Sequence, residues 1–516
     1  MSNEASSNVA LNAKPKITEI EAFGVNTIPD ADRTSTPWDL FRIQFGGANT
    51  FATVLLGTFP IFFGLSFWQG VAAAVLGVLV GSLFLMPMSI FGPRTGTNNA
   101  VSSGAHLGVR GRIAGSFLSL LTAIAFYSIS VWVSGDAIVG AMTRMFNIEK
   151  TPLISGIIYA IIGAIVIIVV VYGYQFMLLV NKTAVIANTI LMLLAVVAFS
   201  GLFGVTFDPN FAGSGEYLLG GLVPTFLLSA LIVMSNPISF GAFLGDWARY
   251  IPRGTSNVKL MGATLLAQLA TLVPFIFGVA TATLVTGSDY IVGLIQVSPL
   301  WYAIMLIFVA FIGGLSTGTT SLYGTGLDFS SVFPRLSRVR STIVIGVVAF
   351  VFILGGRLWF DLLGSVNAFI GAIVVTTTPW MVIMAIGYFV RRGYYAPEDL
   401  QVFNQGNIGG RYWFKGGINW RAMTAWIVAA LVGLMFAYYP PLIEGPWNGL
   451  AGGVDLSLIS GILTAAVVYL GALFIFPEPD YVFGPKGPRL VPSRKGAVPE
   501  VVHNPESAAS KVAAKK

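Results

Sequence analysis

The chain has 516 residues, of which 55% are hydrophobic and 10% charged, with a mean hydropathy of +0.80. Soluble domains carry about a quarter charged residues, so this chain cannot coat a water-soluble body of its size. It holds no cysteine and two histidines, His106 and His503, which excludes disulfides, thiolate chemistry and His/Cys metal clusters.

In chain order, residues 1–40 come first, with Asp30, Asp32, Arg33 and Asp39. They are too long and too acidic for a cleaved signal peptide and read as a disordered cytoplasmic tail. Apolar runs of about 20 residues, the length that crosses the hydrocarbon core, then recur twelve times. The first five lie near 42–66, 70–91, 114–142, 152–172 and 184–205, the next five near 217–244, 259–285, 300–327, 341–359 and 362–390, and two more near 421–440 and 454–476. Two five-span halves (41–206 and 215–392) thus precede a loop (393–420), two further spans (421–476) and a C-terminal cytoplasmic tail (477–516).

Two spans carry Gly, Pro and small polar residues at membrane depth: Gln44 to Phe51 in the first and Ser235 to Gly241 in the sixth. Irregular backbone there is expected only around a buried cavity. Its matched placement in two halves points to an inverted-repeat carrier with its site between two broken helices; close helix packing is the plainer reading. In the third span Phe126 and Tyr127 precede Ser130, Trp132, Ser134 and Asp136. An aromatic one turn before a hydroxyl suits a stacked planar ring hydrogen-bonded at its edge, and equally suits plain packing. Asp136 is a carboxylate within or near the membrane and a functional candidate on that ground. In the eighth span Ser316 and Thr317, with the Gly313 carbonyl, offer hard oxygen ligands to Na⁺, or their hydroxyls bond back one turn. Asp246 and Arg249, one turn apart at the end of the sixth span, suit either an inner gate with Arg94 or Arg110, or a local pair.

With the N-terminus inside, the basic residues collect on the cytoplasmic side, Lys182 among them, and only Arg144, Lys150 and Arg357 fall outside. The positive-inside rule predicts this for a multi-pass protein of the plasma membrane with both termini cytoplasmic. The net charge of +7 is therefore a topology signal and not a nucleic-acid footprint. An enzyme would need acids, bases or metals converging at one depth, and a channel would need a repeated filter loop; neither is present. The oligomeric state is not written in the sequence.

Four further stretches carry a family likeness: Phe91-Gly-Pro-Arg-Thr-Gly96 with Gly108-Val-Arg-Gly111, Gly245-Asp-Trp-Ala-Arg-Tyr250, Tyr388-Phe-Val-Arg-Arg392, and Arg411 to Trp420. Over roughly residues 35–440 the chain resembles the nucleobase–cation symport family of purine–cytosine permease-like and hydantoin/allantoin carriers. The resemblance implies an all-α, twelve-helix, leucine-transporter-like fold with a five-plus-five inverted repeat and two extra helices. It implies a substrate site at Asn49, Phe51, Phe126, Ser130, Ser239 and Phe240. It further implies a sodium site from the carbonyls of Phe45, Gly46, Ala48 and Asn49 with Gly313, Ser316 and Thr317. The expected activity is import of a small nucleobase-like heterocycle by sodium symport. The alternative is a proton-coupled carrier of a thiamine-like or amino-acid-like compound. Two departures bear on the ligand: Pro237 stands where relatives place the second stacking aromatic, and Gly313, Gly318 and Leu322 stand where some place a substrate-binding asparagine.

Overall fold

The computed structural model describes residues 26–172, 174–201, 216–285, 290–332, 338–359, 362–439, 443–452 and 454–502. Residues 1–25, His503 and the side chain of Arg357 lie outside them. Thr36 opens the first helix with a capping box, accepting from the Asp39 amide at 3.2 Å while Asp39 accepts from the Thr36 amide at 2.9 Å. The helices are α1 (Pro37–Ala48), α2 (Phe51–Phe62), α3 (Phe67–Leu85), α4 (Phe91–Thr95), α5 (Asn99–Leu107), α6 (Ile113–Phe146), α7 (Pro152–Tyr172) and α8 (Tyr174–Ala198). They continue as α9 (Leu222–Phe240), α10 (Leu244–Ala248), α11 (Asn257–Ala270), α12 (Leu272–Ala282), α13 (Tyr290–Val297), α14 (Leu300–Val332), α15 (Arg338–Trp359) and α16 (Leu362–Val390), then α17 (Pro397–Leu400), α18 (Trp420–Phe436) and α19 (Ser457–Ile475).

Among the described residues nine helical segments are long and apolar enough to cross a membrane, and α1 with α2, bent by 59°, makes a tenth. The expected twelve are reached only by adding two shorter apolar helices, Val339–Gly355 and Trp420–Phe436. Large apolar side chains cover the outside of the bundle, with Leu83 61% and Val467 69% exposed, as lipid-facing surface requires.

Four helix pairs organise the interior. Helix α14 lies along α6, and α9 along α3. The halves of the first span split their partners: α1 packs on α11, and α2 on α12. A Cβ on Gly57 would fall inside the Phe275 carbonyl, and one on Gly278 inside that of Val54, so glycines let α2 and α12 meet backbone to backbone. Helices α11 and α12 meet at Thr271, which keeps right-handed helical dihedrals (φ −66°, ψ −12°), so the two form one span, Asn257–Ala282. Gln44 ties α1 to α11, donating to Thr264 at 3.3 Å and accepting from Gln268 at 3.4 Å.

Three expectations need correction. The leader is not free up to residue 40: Ile28 is fully buried, Arg33 donates to the carbonyls of Ile28 (2.9 Å) and Pro93 (3.3 Å), and Ser35 N–H bonds Tyr250 O. Nor is the C-terminal segment loose from residue 477. Strand β3 (Glu478–Pro479) pairs in parallel with β4 (Ser493–Arg494), and Val502 bridges Ile408; β1 (Tyr438–Tyr439) and β2 (Ile443–Glu444) form a separate hairpin. Glu478 is buried against Arg391 at 2.9 Å, which a solvated tail would not provide. Third, the break expected over Ser235 to Gly241 is met only at the last residue of that stretch. Helix α9 runs through Pro237 to Phe240, and the break falls at residues 241–243 before α10. Proline removes only the bond to the carbonyl four residues earlier, and its ring fits over Gly81 of α3, so the turn continues past it.

Candidate functional site

The break in the first span follows from Gly46-Gly47, which weaken the helix, and from Asn49, which ends it. Asn49 leaves helical dihedrals (φ −80°, ψ 65°), Thr50 is extended (φ −147°, ψ 167°), and helix resumes at Phe51. The Thr50 amide turns to Ala48 O at 2.9 Å, so the carbonyl of Gly46 loses its usual donor. Helix α14 supplies the replacements. Ser316 Oγ lies 2.7 Å from Gly46 O, and Thr317 Oγ1 lies 2.6 Å from Gly47 O. Gly313, one turn earlier, leaves room for Thr50, whose Cβ would be 3.1 Å from any side chain placed there.

Two more oxygens complete the group. Asn181 Oδ1 of α8 is 2.7 Å from Ser316 Oγ, and Thr50 Oγ1 is 2.9 Å from Thr317 Oγ1. Asn181 is fixed by its amide, which donates to Met177 O at 2.9 Å. Two trios of oxygens on neighbouring residues result, Gly46 O with Ser316 Oγ and Asn181 Oδ1, and Gly47 O with Thr317 Oγ1 and Thr50 Oγ1, with only the protons of three hydroxyls among the six. An oxygen-rich, proton-poor cluster without formal charge suits a hard monovalent cation. Of the expected carbonyls, Gly46 stands at this cluster. Those of Phe45, Ala48 and Asn49 accept from Asn49 N (2.7 Å), an ordinary helical bond, from Thr50 N (2.9 Å) and from Asn188 Nδ2 of α8 (2.7 Å).

The expected substrate contacts lie on three helices and the break: Asn49 and Phe51 at the break itself, Phe126 and Ser130 on α6, and Ser239 and Phe240 on α9. Asn49 donates to Thr189 at 2.9 Å, and its Oδ1 is buried without a partner. Phe51 opens α2, 2% exposed, and Phe126 is 7% exposed on α6. Ser130 bonds back to Phe126 O and Ser239 to Asn236 O, each at 2.6 Å. Phe240 stands edge-on to Phe243 (5.6 Å) and Trp247 (5.5 Å), so it belongs to an aromatic cluster at the α9–α10 junction. Asn236 Nδ2 is buried and unbonded, a second free polar atom on the helix that meets α2.

Sequence reasoning missed Gly47, Thr50, Asn181 and Asn188 as site residues. The signal for the last two was present: they lie seven residues apart, two turns of one face, with Met177, Ala184 and Met192 buried beside them. Placing the fifth span at 184–205 hid it, because Asn181-Lys182-Thr183 read as a loop. Helix α8 instead begins at Tyr174, and Lys182 is exposed on its outer face.

Toward the end of the bundle that carries residues 26–36, Arg249 donates to Tyr250 (3.3 Å) and Tyr323 (3.2 Å), and the Asp246 carboxylate abuts Gly324 of α14. Both charges are fully buried. Arg94 donates to the 253–257 loop, and Arg110 to Gly416 O beside the Trp413 ring. At the opposite end Asp136 accepts from Tyr159 at 2.7 Å and pairs with Lys150 at 3.4 Å.

A family profile described as permease for cytosine/purines, uracil, thiamine, allantoin matches residues 27–461. The chain belongs to this permease family. The putative purine-cytosine permease YxlA of Bacillus subtilis is 25% identical to the permease over 472 residues, 87% of this chain and 95% of that one. Nicotinamide riboside transporter 1 of Saccharomyces cerevisiae is 22% identical, covering 79% and 71%. Mhp1, a nucleobase-cation-symport-1 family transporter solved in a closed conformation with bromovinylhydantoin bound, matches with a TM-score of 0.69 at 19% identity, over 89% of this chain and 95% of that one. A Na⁺-coupled sialic acid symporter gives 0.56 at 16% identity, over 90% and 96%. The permease therefore has an all-α multi-pass membrane fold related to that of Mhp1. It is a secondary active transporter of a small polar heterocyclic compound, and not an enzyme.

Proposed function

We propose that the permease imports its heterocycle by sodium symport with alternating access, and that the six-oxygen cluster at the first-span break is the sodium site. The observation that carries this reading is the facing of Ser316 and Thr317 with the Gly46 and Gly47 carbonyls, 2.7 and 2.6 Å apart. The ring stacks on Phe126 and Phe51, and the free Asn49 Oδ1 and Asn236 Nδ2 supply an acceptor and a donor for its edge; Ser130 and Ser239 turn from their own helices to assist. Counting the two shorter apolar helices gives twelve spans, five plus five as an inverted repeat with two appended, both termini cytoplasmic in the plasma membrane. Asp246 and Arg249 form the inner gate in this scheme. YxlA, by its name, handles purines and cytosine and a second relative nicotinamide riboside, and a planar nitrogen heterocycle is what they share.

Uptake by purified permease in liposomes tests the coupling: a sodium gradient should drive accumulation of a nucleobase, hydantoin or nicotinamide-type compound, and removing the proton gradient should leave it intact. Accumulation that ignores sodium would overturn the assignment. One observation favours the competing reading, proton coupling to a thiamine-like or amino-acid-like cargo: Asp136 is a 2% exposed carboxylate on a membrane helix, held by Tyr159 and Lys150. D136N separates the two, since it should spare sodium-driven uptake and abolish proton-driven uptake.

A further inference from the structure

Beyond the transport site, a cavity of about 610 Å³ opens where α18 begins and α19 ends. Its wall holds three cations, Lys415, Arg421 and Arg494, with the rings of Trp420, Phe476 and Tyr481. No carboxylate lines it, and among the described residues none pairs with these cations. The nearby Glu478 is committed to Arg391 at 2.9 Å and Asn419 at 2.5 Å. Arg421 is 7% exposed and fixed: it donates to the carbonyls of Phe476 and Pro477 and to Asn419 Oδ1, which leaves two of its five N–H groups free. Arg494 arrives on strand β4 and Lys415 on the loop before α18, both exposed.

The rim is apolar and stands at the ends of two membrane helices: Trp420 is 40%, Phe476 50% and Ile475 71% exposed, with Trp420 and Phe476 edge to face at 5.0 Å. Aromatic rings of this kind sit at headgroup level, and basic pockets between membrane helices hold anionic headgroups. We propose that this cavity is a binding site for an anionic phospholipid of the adjoining leaflet, its phosphate on Arg421, Arg494 and Lys415 and its acyl chains along the outer face of α19. A soluble phosphate would use the cations but not the rim. The inference is independent of the cargo and the coupling ion.

The test is native mass spectrometry of the full-length, delipidated permease offered phosphatidylglycerol or phosphatidylcholine with identical chains. Phosphatidylglycerol should be retained in preference, and the preference should fall about fivefold in K415Q or R494Q and about thirtyfold in the double variant, as expected for one surface cation each. The charge-keeping K415R/R494K should retain it. Equal retention of both lipids by the unaltered protein would overturn the proposal, and that comparison stands even if the double variant does not fold. So would a well-folded double variant that keeps its preference. Displacement of the lipid by millimolar inorganic phosphate or glycerol 3-phosphate would reassign the cavity to a soluble anion and equally end the lipid claim.

Discussion

At Ser316 and Thr317 the same hydroxyls that crosslink α14 to the first span are those that would face a cation. Two effects of removing them must therefore be separated. S316A or T317A deletes one oxygen ligand, a contact to a charged group worth about 1.5–3 kcal/mol. The sodium concentration for half-maximal uptake should rise roughly tenfold or more, and, because a buried carbonyl also loses its donor, the sodium-free melting temperature should fall as well. Sodium titration of uptake and of thermal stability reads both quantities, and an unchanged sodium midpoint would remove these residues from the site. The serine–threonine pair was legible from the sequence because it combines adjacent hydroxyls with a preceding Gly313. Asn181 was not legible, since a polar trio inside an apolar helix has the composition of a loop. Its neighbour Lys182 stays on the outer face of α8, where its long stem can carry the charge toward the interface.

At the scale of helices, the glycine-rich break at residues 46–50 could be placed from sequence to within a residue or two, because Gly-Gly before Asn-Thr lowers helix stability where the chain needs to bend. The sixth span could not be placed so well. The whole stretch Ser235 to Gly241 was expected to be irregular, yet the helix continues through Pro237 to Phe240 and the turn waits for Gly241. Packing decided the outcome, as Gly77 and Gly81 of α3 allow α9 to sit too close to kink freely. The α2–α12 contact is as close, which makes it sensitive. G57A sets a methyl group against the immovable Phe275 carbonyl and should cost about 1–3 kcal/mol, seen as a lower melting temperature in detergent. G262A on α11, where a Cβ meets nothing within 4 Å, should instead leave stability unchanged or raise it by up to ~1 kcal/mol.

Over the whole molecule, composition and charge placement were enough to give the membrane class. They could not show that residues 26–36 and 477–502 are packed, since short polar segments carry no periodic signal. The second of these segments supplies Glu478, the partner of Arg391, and close to Arg391 lies His106, fully buried with Nε2 2.8 Å from the Tyr395 hydroxyl. Burial first, and the Arg391 guanidinium second, hold its imidazole well below the usual 6.5. The folded chain keeps this ring neutral where the unfolded chain takes up a proton. Stability is then complete above about pH 6.5 and declines as pH falls below it, by no more than ~1.4 kcal/mol per unit. H106Q, which can still bond Tyr395, should flatten the decline of melting temperature between pH 7 and 5. An identical decline in the variant would assign it to other groups.

The first span bends by 59° at residues 48–50, while the chain from Asn257 to Ala282, to which both of its limbs are fastened, runs as one span. The Gln44–Thr264 and Gln268–Gln44 bonds hold the lower limb, and the glycine seam with α12 holds the upper one. Flexing the elbow would shear the amide contacts or slide α2 across the seam, so the two limbs and their splint should swing as one plate. Because the chain has no native thiol, spin labels on introduced cysteines can report this motion without background: separations between the first span and residues 257–282 should hold constant while those from this plate to α6 and α14 change.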